Sequence, residues 1–226
     1  VGLSGIGFML LSILARGSVD AGRPKPLDRS EAGGSVGAAQ MGGYINLSLV
    51  GFLDSAARAT ALTFLPFLMR DKGMSTEQIF GMLFLLLGGG AVGKFICGWL
   101  DERYGSVRLI WGTKGLTAIL LFASLSAPTA AMAPLLVIMG IGLNGTSSVL
   151  YASVAKFVPP PLRARFYGFF YTTNEGGGSI APFLYGLVAD LLSIRWTIAV
   201  LGLVTVLILP VSLTLRKHLA RTDMES

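Results

Sequence analysis

This chain consists largely of apolar blocks, most of them as long as a bilayer-spanning helix. A helix rises about 1.5 Å per residue, so a hydrocarbon core about 30 Å thick needs about 20 residues. The apolar stretches cover residues 1–15, 44–69, 76–99, 106–126, 132–157, 166–190 and 194–215. Only the first is too short to span. The pattern predicts an all-α membrane protein.

The charge content agrees with this prediction. Charged residues make up 13% of the sequence and hydrophobic residues 53%, whereas a soluble domain carries about 25% charged residues. The net charge of +6 comes from Lys and Arg in the gaps between apolar blocks, not from a basic stripe with interleaved aromatic residues, so we expect no nucleic-acid partner. The lone Cys97 and lone His218 provide no metal site. We expect no metal, no cofactor and no enzymatic activity.

The gaps between the blocks indicate the domain organisation. Because the chain starts at Val1 within an apolar run, we interpret residues 1–15 as the end of a truncated transmembrane helix. Residues 16–43 are rich in Gly, Ser, Pro and charge, as is typical of a solvated linker. Residues 44–215 form six spans joined by short turns, so neighbouring helices are antiparallel, and residues 216–226 form a tail.

Lys and Arg are distributed unevenly between the two sides of these spans. The linker, the turns at 101–108 and 156–165, and the tail contain twelve of them, whereas the opposite side contains only Arg70, Lys72 and Arg195. Loops rich in Lys and Arg remain in the cytoplasm. The sequence therefore predicts a cytoplasmic linker and a cytoplasmic C-terminus, with an even number of complete spans between them.

The turn after the third stretch contains a recognisable pattern. Its residues are Gly98, Trp99, Leu100, Asp101, Glu102, Arg103, Tyr104, Gly105, Ser106, Val107 and Arg108. They resemble the major facilitator superfamily signature: Gly, three residues, an acid, a base, one residue, Gly, then basic residues. Val107 departs from the basic residue often found there. A polar turn with a glycine cap is the simpler interpretation of the same residues.

The resemblance implies the C-terminal half of a twelve-helix secondary transporter. Residues 16–43 look like its central cytoplasmic loop, and 158–165 like the loop before helix eleven. The spans would be helices seven to twelve, and the N-terminal six-helix half would be absent from this sequence. The resemblance also implies a cytoplasmic gate built from the signature: Gly98, Glu102, Arg103, Gly105 and Arg108.

A glycine-rich run on the third stretch superficially matches a nucleotide-binding loop. Residues 88–94 have the spacing of such a loop, but Phe95 stands where a Mg²⁺-binding hydroxyl is needed. The run also lies within an apolar helix. Since Gly89 and Gly93 are four residues apart, we predict that they allow close packing of two helices.

Ionisable residues within the spans are the candidate functional groups, because a charge at membrane depth costs at least about 2.5 kcal/mol. Asp54 and Arg58 lie four apart on one helix face, and Glu175 lies at a similar depth beside Asn174. The family resemblance implies that the first and fourth helices of the half line a cavity. It adds Asn144 and Tyr151 to the substrate or proton-coupling candidates, with Tyr171 at the border.

Several alternatives stay open for these charges. Asp54 and Arg58 could act as a switch whose proton affinity changes as Arg58 moves, or as a static pair that ties helices together. We expect Lys94 and Lys114 to extend towards the membrane surface. Lys114 lies deeper, so it could instead pair with Glu175 or with the missing half.

The resulting functional hypothesis is transport of a small molecule by alternating access, with the lipid bilayer, the substrate and protons as partners. We predict a proton-coupled efflux antiporter of a bacterial inner membrane. Residues 143–151 and 64–68 suggest a narrower resemblance to drug-efflux and fosmidomycin-resistance-like members. Uptake of an organic anion or metabolite, attracted by Arg58, is the main alternative, and a transport-inactive scaffold or sensor is another.

Overall fold

The computed structural model describes residues 36–225, with side chains up to residue 215 except that of residue 39. The described chain contains six α-helices and no strand. They are α1 (Ala38–Asp71), α2 (Thr76–Tyr104), α3 (Ser106–Ser126), α4 (Met132–Phe157), α5 (Arg163–Leu191) and α6 (Ile194–Glu225). The predicted helix at 1–15 and most of the predicted linker lie outside the described residues.

The helices occupy the predicted apolar stretches, and three of them continue at least five residues beyond one end. Helix α2 continues to Tyr104, so most of the turn predicted between the third and fourth stretches is helical. Helix α1 begins at Ala38, within the segment predicted as linker, and α6 continues to Glu225, through the segment predicted as tail. The apolar pattern marks only the part of a helix that lies in hydrocarbon, whereas backbone hydrogen bonding continues into polar sequence.

Four of the six helices are long and apolar enough to cross a membrane: α2, α3, the helical segment Thr129–Phe157 that contains α4, and the part of α6 up to Leu215. Helices α1 and α5 have 34 and 29 residues, so length does not limit them. They carry Asp54, Arg58 and Glu175, and their apolar character is lower for that reason. That they span the bilayer remains a prediction.

The most extensive helix pairs are α2 with α4, α1 with α5, α1 with α6, and α3 with α6. Close approach of α2 and α4 depends on glycine. A Cβ atom on Gly93 would lie 2.6 Å from the carbonyl oxygen of Ile141, and one on Gly140 would lie 2.9 Å from the nitrogen of Gly90. A Cβ on Gly89 would overlap the carbonyl of Val137. The predicted packing role of Gly89 and Gly93 is confirmed.

The core consists of two apolar clusters, one towards each end of the bundle. One combines the C-terminal half of α1 with the N-terminal half of α4, as in Leu65 and Leu136. The other combines the opposite ends of the same helices, as in Leu47 and Phe157. Many of the buried polar side chains lie at intermediate positions along the helices, although Ser106, Ser124 and Thr197 lie near helix ends. The side chains at middle depth are Asp54, Thr113, Lys114, Thr117, Asn144, Thr146, Ser147, Asn174 and Thr205. The bundle therefore contains a polar layer at middle depth.

The turns at the helix ends are stabilised locally. The Ser75 hydroxyl accepts a hydrogen bond from the Gln78 amide and caps the N-terminus of α2. At the other end of α2, Gly105 takes a φ of 81° and starts α3 directly, a conformation that favours glycine.

A lysine joins two helices at the opposite side of the bundle from Gly105. The Lys72 ammonium donates to the carbonyl oxygens of Leu125 at 3.2 Å and Ala127 at 2.7 Å, so it satisfies acceptors at the C-terminus of α3. Partial burial, and then the nearby charge of Arg195, lower the pKa of Lys72 from its ordinary value.

Large apolar side chains point outward from the bundle. Phe95 is 83% exposed and Phe84 is 76% exposed on α2, and Phe183 on α5 is exposed to a similar degree. Such a surface is unfavourable in water but suits lipid or another helical domain.

Candidate functional site

Asp54 of α1 forms an ion pair with Lys114 of α3. Both side chains lie inside the bundle, with 2% and 0% of their surfaces exposed. The expectation that Lys114 extends to the membrane surface is therefore wrong, because its ammonium is enclosed and meets a carboxylate on another helix. The alternative partner considered for it, Glu175, is not the one it contacts.

Arg58 does not bind Asp54, although the two residues are one helical turn apart. Its guanidinium donates to the hydroxyl of Ser55 at 3.1 Å. The side chain is half-buried, and among the residues whose side chains are described no carboxylate forms an ion pair with it. The static Asp54 to Arg58 pair is thus absent, and Arg58 retains donors for another acceptor.

Asn144 and Tyr151 lie on α4, two turns apart. Asn144 is buried against Gly90 of α2, and its amide donates to the carbonyl of Gly140 at 3.4 Å. The half-buried Tyr151 ring meets the ring of Phe170 of α5 edge-on, with 5.1 Å between the centroids. The aromatic pair bridges α4 and α5 next to Gly51 of α1.

Helix α5 presents its candidates in two directions. Asn174 is 5% exposed and packs against Gly51, and its side-chain oxygen is buried without a hydrogen-bond partner among the described residues. Tyr171 and Glu175 point away from the bundle and are exposed. The neighbouring Gly178 packs close to the Ser55 hydroxyl, which places this part of α5 beside the Arg58 contact.

The candidate groups differ in charge and in exposure. The Asp54 to Lys114 pair is enclosed, so it carries no net charge to the surface of the bundle. Arg58 is a half-buried cation in the middle of α1 and has no acidic partner within the described part of the chain, whereas the half-buried Lys72 and Arg163 lie at helix ends. Glu175 is an exposed anion on α5. The arrangement can therefore offer a cation to an anionic solute and a separate carboxylate to a proton.

The signature residues at the end of α2 and the start of α3 lie mainly at the surface. Gly98, Glu102, Arg103, Gly105 and Arg108 are all exposed. The Arg103 guanidinium lies 5.8 Å from the centre of the Trp99 ring, and Trp99, Glu102 and Arg103 line an open hollow of about 260 Å³. No ion pair joins Glu102 to Arg103 within the described part of the chain. The charge relay implied by the resemblance remains a prediction.

Comparison with known proteins decides the family. A family model described as Major Facilitator Superfamily matches residues 47–223, which is most of this chain. The chain belongs to the major facilitator superfamily. The all-α membrane bundle predicted from the apolar blocks is thereby confirmed, as is the family suggested by the turn at 98–108.

Three curated relatives illustrate what this superfamily chain is similar to. The gentisate transporter of Corynebacterium glutamicum is 30% identical over 129 residues, which cover 56% of this chain and 29% of the relative. The 4-hydroxybenzoate transporter PcaK of Acinetobacter baylyi is 30% identical over 149 residues, covering 62% and 32%. An MFS-type efflux pump of Mycolicibacterium smegmatis is 33% identical over 150 residues, covering 62% and 34%.

The chain spans well under half of the length of each of these curated relatives. All three are described as transporters or pumps, so a membrane transporter with a small-molecule substrate is the function class that the superfamily membership supports. The narrower resemblance to drug-efflux members remains a prediction.

The sequence reasoning missed the partner of Asp54 and the acceptor for Arg58. Lys114 lies between Thr113 and Thr117, two hydroxyl residues that are also buried in α3. This polar cluster in an otherwise apolar helix was the available signal that the face of α3 turns inward. Ser55 carried no comparable signal, because a small hydroxyl residue occurs at many helix positions.

Proposed function

We propose that this superfamily chain is part of a secondary transporter that carries a small aromatic carboxylate by alternating access. The observation that carries the proposal is the half-buried Arg58 guanidinium, which binds only a serine hydroxyl within the described part of the chain. A guanidinium is a strong and directional ligand for a carboxylate. Gentisate and 4-hydroxybenzoate, which name two of the relatives, each contain one carboxylate and one aromatic ring.

Aromatic and polar groups beside Gly51, two helical turns along α1 from Arg58, suit such a solute. The edge-on pair of Tyr151 and Phe170 supplies an aromatic surface on α4 and α5. The unpartnered oxygen of Asn174 supplies an acceptor for a ring hydroxyl. Together these groups would bind one end of the solute by charge and the other by stacking and hydrogen bonding.

Glu175 is our candidate for proton coupling. It lies roughly 18 Å along α5 from Arg163 at about 1.5 Å per residue, near middle depth, and it points out of the bundle. A charged carboxylate facing lipid there would be costly. We infer that Glu175 faces a water-filled pathway or the N-terminal six-helix half of the full-length protein, where it gains and loses a proton during transport.

The membrane orientation completes the proposal. The turns at 101–108 and 156–165 and the C-terminal segment contain most of the Lys and Arg residues, so we propose that this side is cytoplasmic. A bacterial inner membrane is the proposed location. The domain scheme of a truncated helix, a central loop and helices seven to twelve is part of the same proposal.

The substrate class is tested by uptake of radiolabelled benzoate, 4-hydroxybenzoate and gentisate into vesicles that contain the full-length protein. A charge-assisted hydrogen bond contributes about 1.5–3 kcal/mol, so Arg58→Gln should raise KM by about 10- to 150-fold. The matched control is Lys94→Gln on α2, which removes an exposed cation and should leave KM unchanged. Equal KM values for wild type and Arg58→Gln would refute the carboxylate site.

Proton coupling is tested separately with Glu175→Gln. This variant should retain exchange of labelled for unlabelled substrate, because binding is intact, but should lose accumulation driven by a pH gradient. Accumulation at the wild-type level would show that the coupling carboxylate is another residue.

Drug efflux is the second candidate function, favoured by the similarity to the mycobacterial efflux pump. A proton-coupled antiporter would expel a cationic dye such as ethidium from loaded vesicles. Dye export without carboxylate transport would favour efflux, and Arg58 would then have a different role, because a cation does not bind a guanidinium.

A further inference from the structure

We propose that Lys114 is a positioning residue for the anion site, because it holds Asp54 and so leaves the Arg58 guanidinium available to a substrate carboxylate. This inference rests on the proposed function. It assigns a role in substrate affinity to a lysine on α3 that is fully buried and forms an ion pair with Asp54.

The two charges on α1 are close enough to interact. Asp54 and Arg58 are separated by one helical turn, where side chains of opposite charge are neighbours and normally attract. Left to themselves, they would form a pair. In that pair the donors of Arg58 would be occupied by a carboxylate of the protein itself.

In the folded chain, Lys114 competes with Arg58 for the Asp54 carboxylate. Lys114 reaches Asp54 from α3, and the resulting ion pair is enclosed between the two apolar clusters of the core. A buried ion pair is sensitive to the loss of one partner, since the remaining charge is then uncompensated in a medium of low polarity. Asp54 therefore stays with Lys114, and Arg58 turns to the Ser55 hydroxyl instead.

A substitution that removes the Lys114 ammonium changes which cation is available to Asp54. The Asp54 carboxylate would lose its cation, and Arg58 is the cation one turn away on the same helix. Capture of Arg58 by Asp54 would compensate the buried charge but would compete with the substrate for the same guanidinium. Lys114 thus acts on substrate binding through Arg58 and not by direct contact.

The test is the KM for labelled 4-hydroxybenzoate in vesicles that contain the full-length protein, with membrane levels measured for every variant. Lys114→Met should raise KM about tenfold or more, up to the value for Arg58→Gln. Adding Asp54→Asn to Lys114→Met should restore KM to near the wild-type value, because no carboxylate remains to capture Arg58. Lys114→Arg should keep KM near wild type, and Lys94→Met is the matched control with no expected change.

Non-additivity gives a readout that a merely structural role would not produce. If Lys114 acts through Arg58, the variant that combines Lys114→Met with Arg58→Gln should have the same KM as Arg58→Gln alone. In the background of Asp54→Asn with Lys114→Met, Arg58→Gln should again raise KM by its full factor. Independent, multiplying effects of Lys114→Met and Arg58→Gln would overturn the proposal.

The remaining outcomes are also decisive. A Lys114→Met variant that is inserted normally with unchanged KM overturns the proposal, as does a failure of Asp54→Asn to restore KM. If Lys114→Met does not reach the membrane, the doubly neutral variant decides: KM near wild type supports the proposal, and KM as high as in Arg58→Gln overturns it. Failure of the proposed function is distinguishable, since Arg58→Gln itself would then leave KM unchanged.

Discussion

Packing of α2 against α4 yields the sharpest prediction about stability. A Cβ atom on Gly93 would lie 2.6 Å from the carbonyl oxygen of Ile141 and 2.7 Å from its Cα, whereas ordinary van der Waals contact begins at 3.4 Å. The obstacle is backbone in the middle of a helix, so no side chain can turn aside to make room. Gly93→Ala should therefore force the two helices apart.

A matched variant on the same helix isolates this contact. A Cβ on Gly88 would meet no atom within 4 Å. Gly88→Ala and Gly93→Ala each gain about 1 kcal/mol of helix propensity, so this term cancels in their difference. What remains is the overpacking at Gly93, which costs about 1–3 kcal/mol.

The assay is thermal unfolding of the purified full-length protein in detergent, followed by fluorescence or by aggregation. For a domain of this size about 1 kcal/mol shifts the midpoint by about 2–4 °C. Gly93→Ala should melt several degrees below Gly88→Ala, which should match or exceed the wild type. Equal midpoints for the two variants would refute the close packing of α2 and α4.

Two further predictions concern the helix ends on the side of the bundle opposite to the signature turn. Lys72→Met should reduce the free energy of unfolding by about 1 kcal/mol, because it removes a cation from two carbonyl acceptors at the C-terminus of α3. The control is Arg70→Met at an exposed position, which should not reduce it. Thermal unfolding of the two variants provides the comparison. The Ser75 hydroxyl caps the N-terminus of α2, because it accepts a hydrogen bond from the Gln78 amide. Ser75→Ala should therefore lower the free energy of unfolding by about 1 kcal/mol and lower the melting midpoint accordingly, and an unchanged midpoint would show that this cap does not stabilise α2.

Much of the fold follows from local properties of the sequence. The length and the apolar character of the blocks were sufficient to place six helices, because in hydrocarbon every backbone polar group must be satisfied within its own segment. The spacing of Gly89 and Gly93 likewise predicted a close helix contact, since it puts both residues on one helix face. The helix ends at Ala38 and Glu225 did not follow, because hydrogen bonding continues where the apolar pattern stops.

The candidate site was predictable only in part. Asp54, Arg58 and Glu175 could be selected from the sequence alone by their predicted depth in the membrane. A charge at that depth is energetically costly, so it indicates a functional role. Their partners could not be obtained in this way. The i, i+4 spacing that favours an Asp54 to Arg58 pair applies to residues of one helix. It does not take into account a cation on another helix.

The long apolar blocks of the sequence were enough to predict a helical membrane bundle, and the signature turn indicated the superfamily. Which charges meet depends on helix packing. Packing α3 beside α1 encloses Lys114 with Asp54, and Arg58 contacts Ser55 instead. The length and apolar character of a helix are local properties of its sequence, whereas the energy of a buried charge depends on which distant residue the folded chain places beside it.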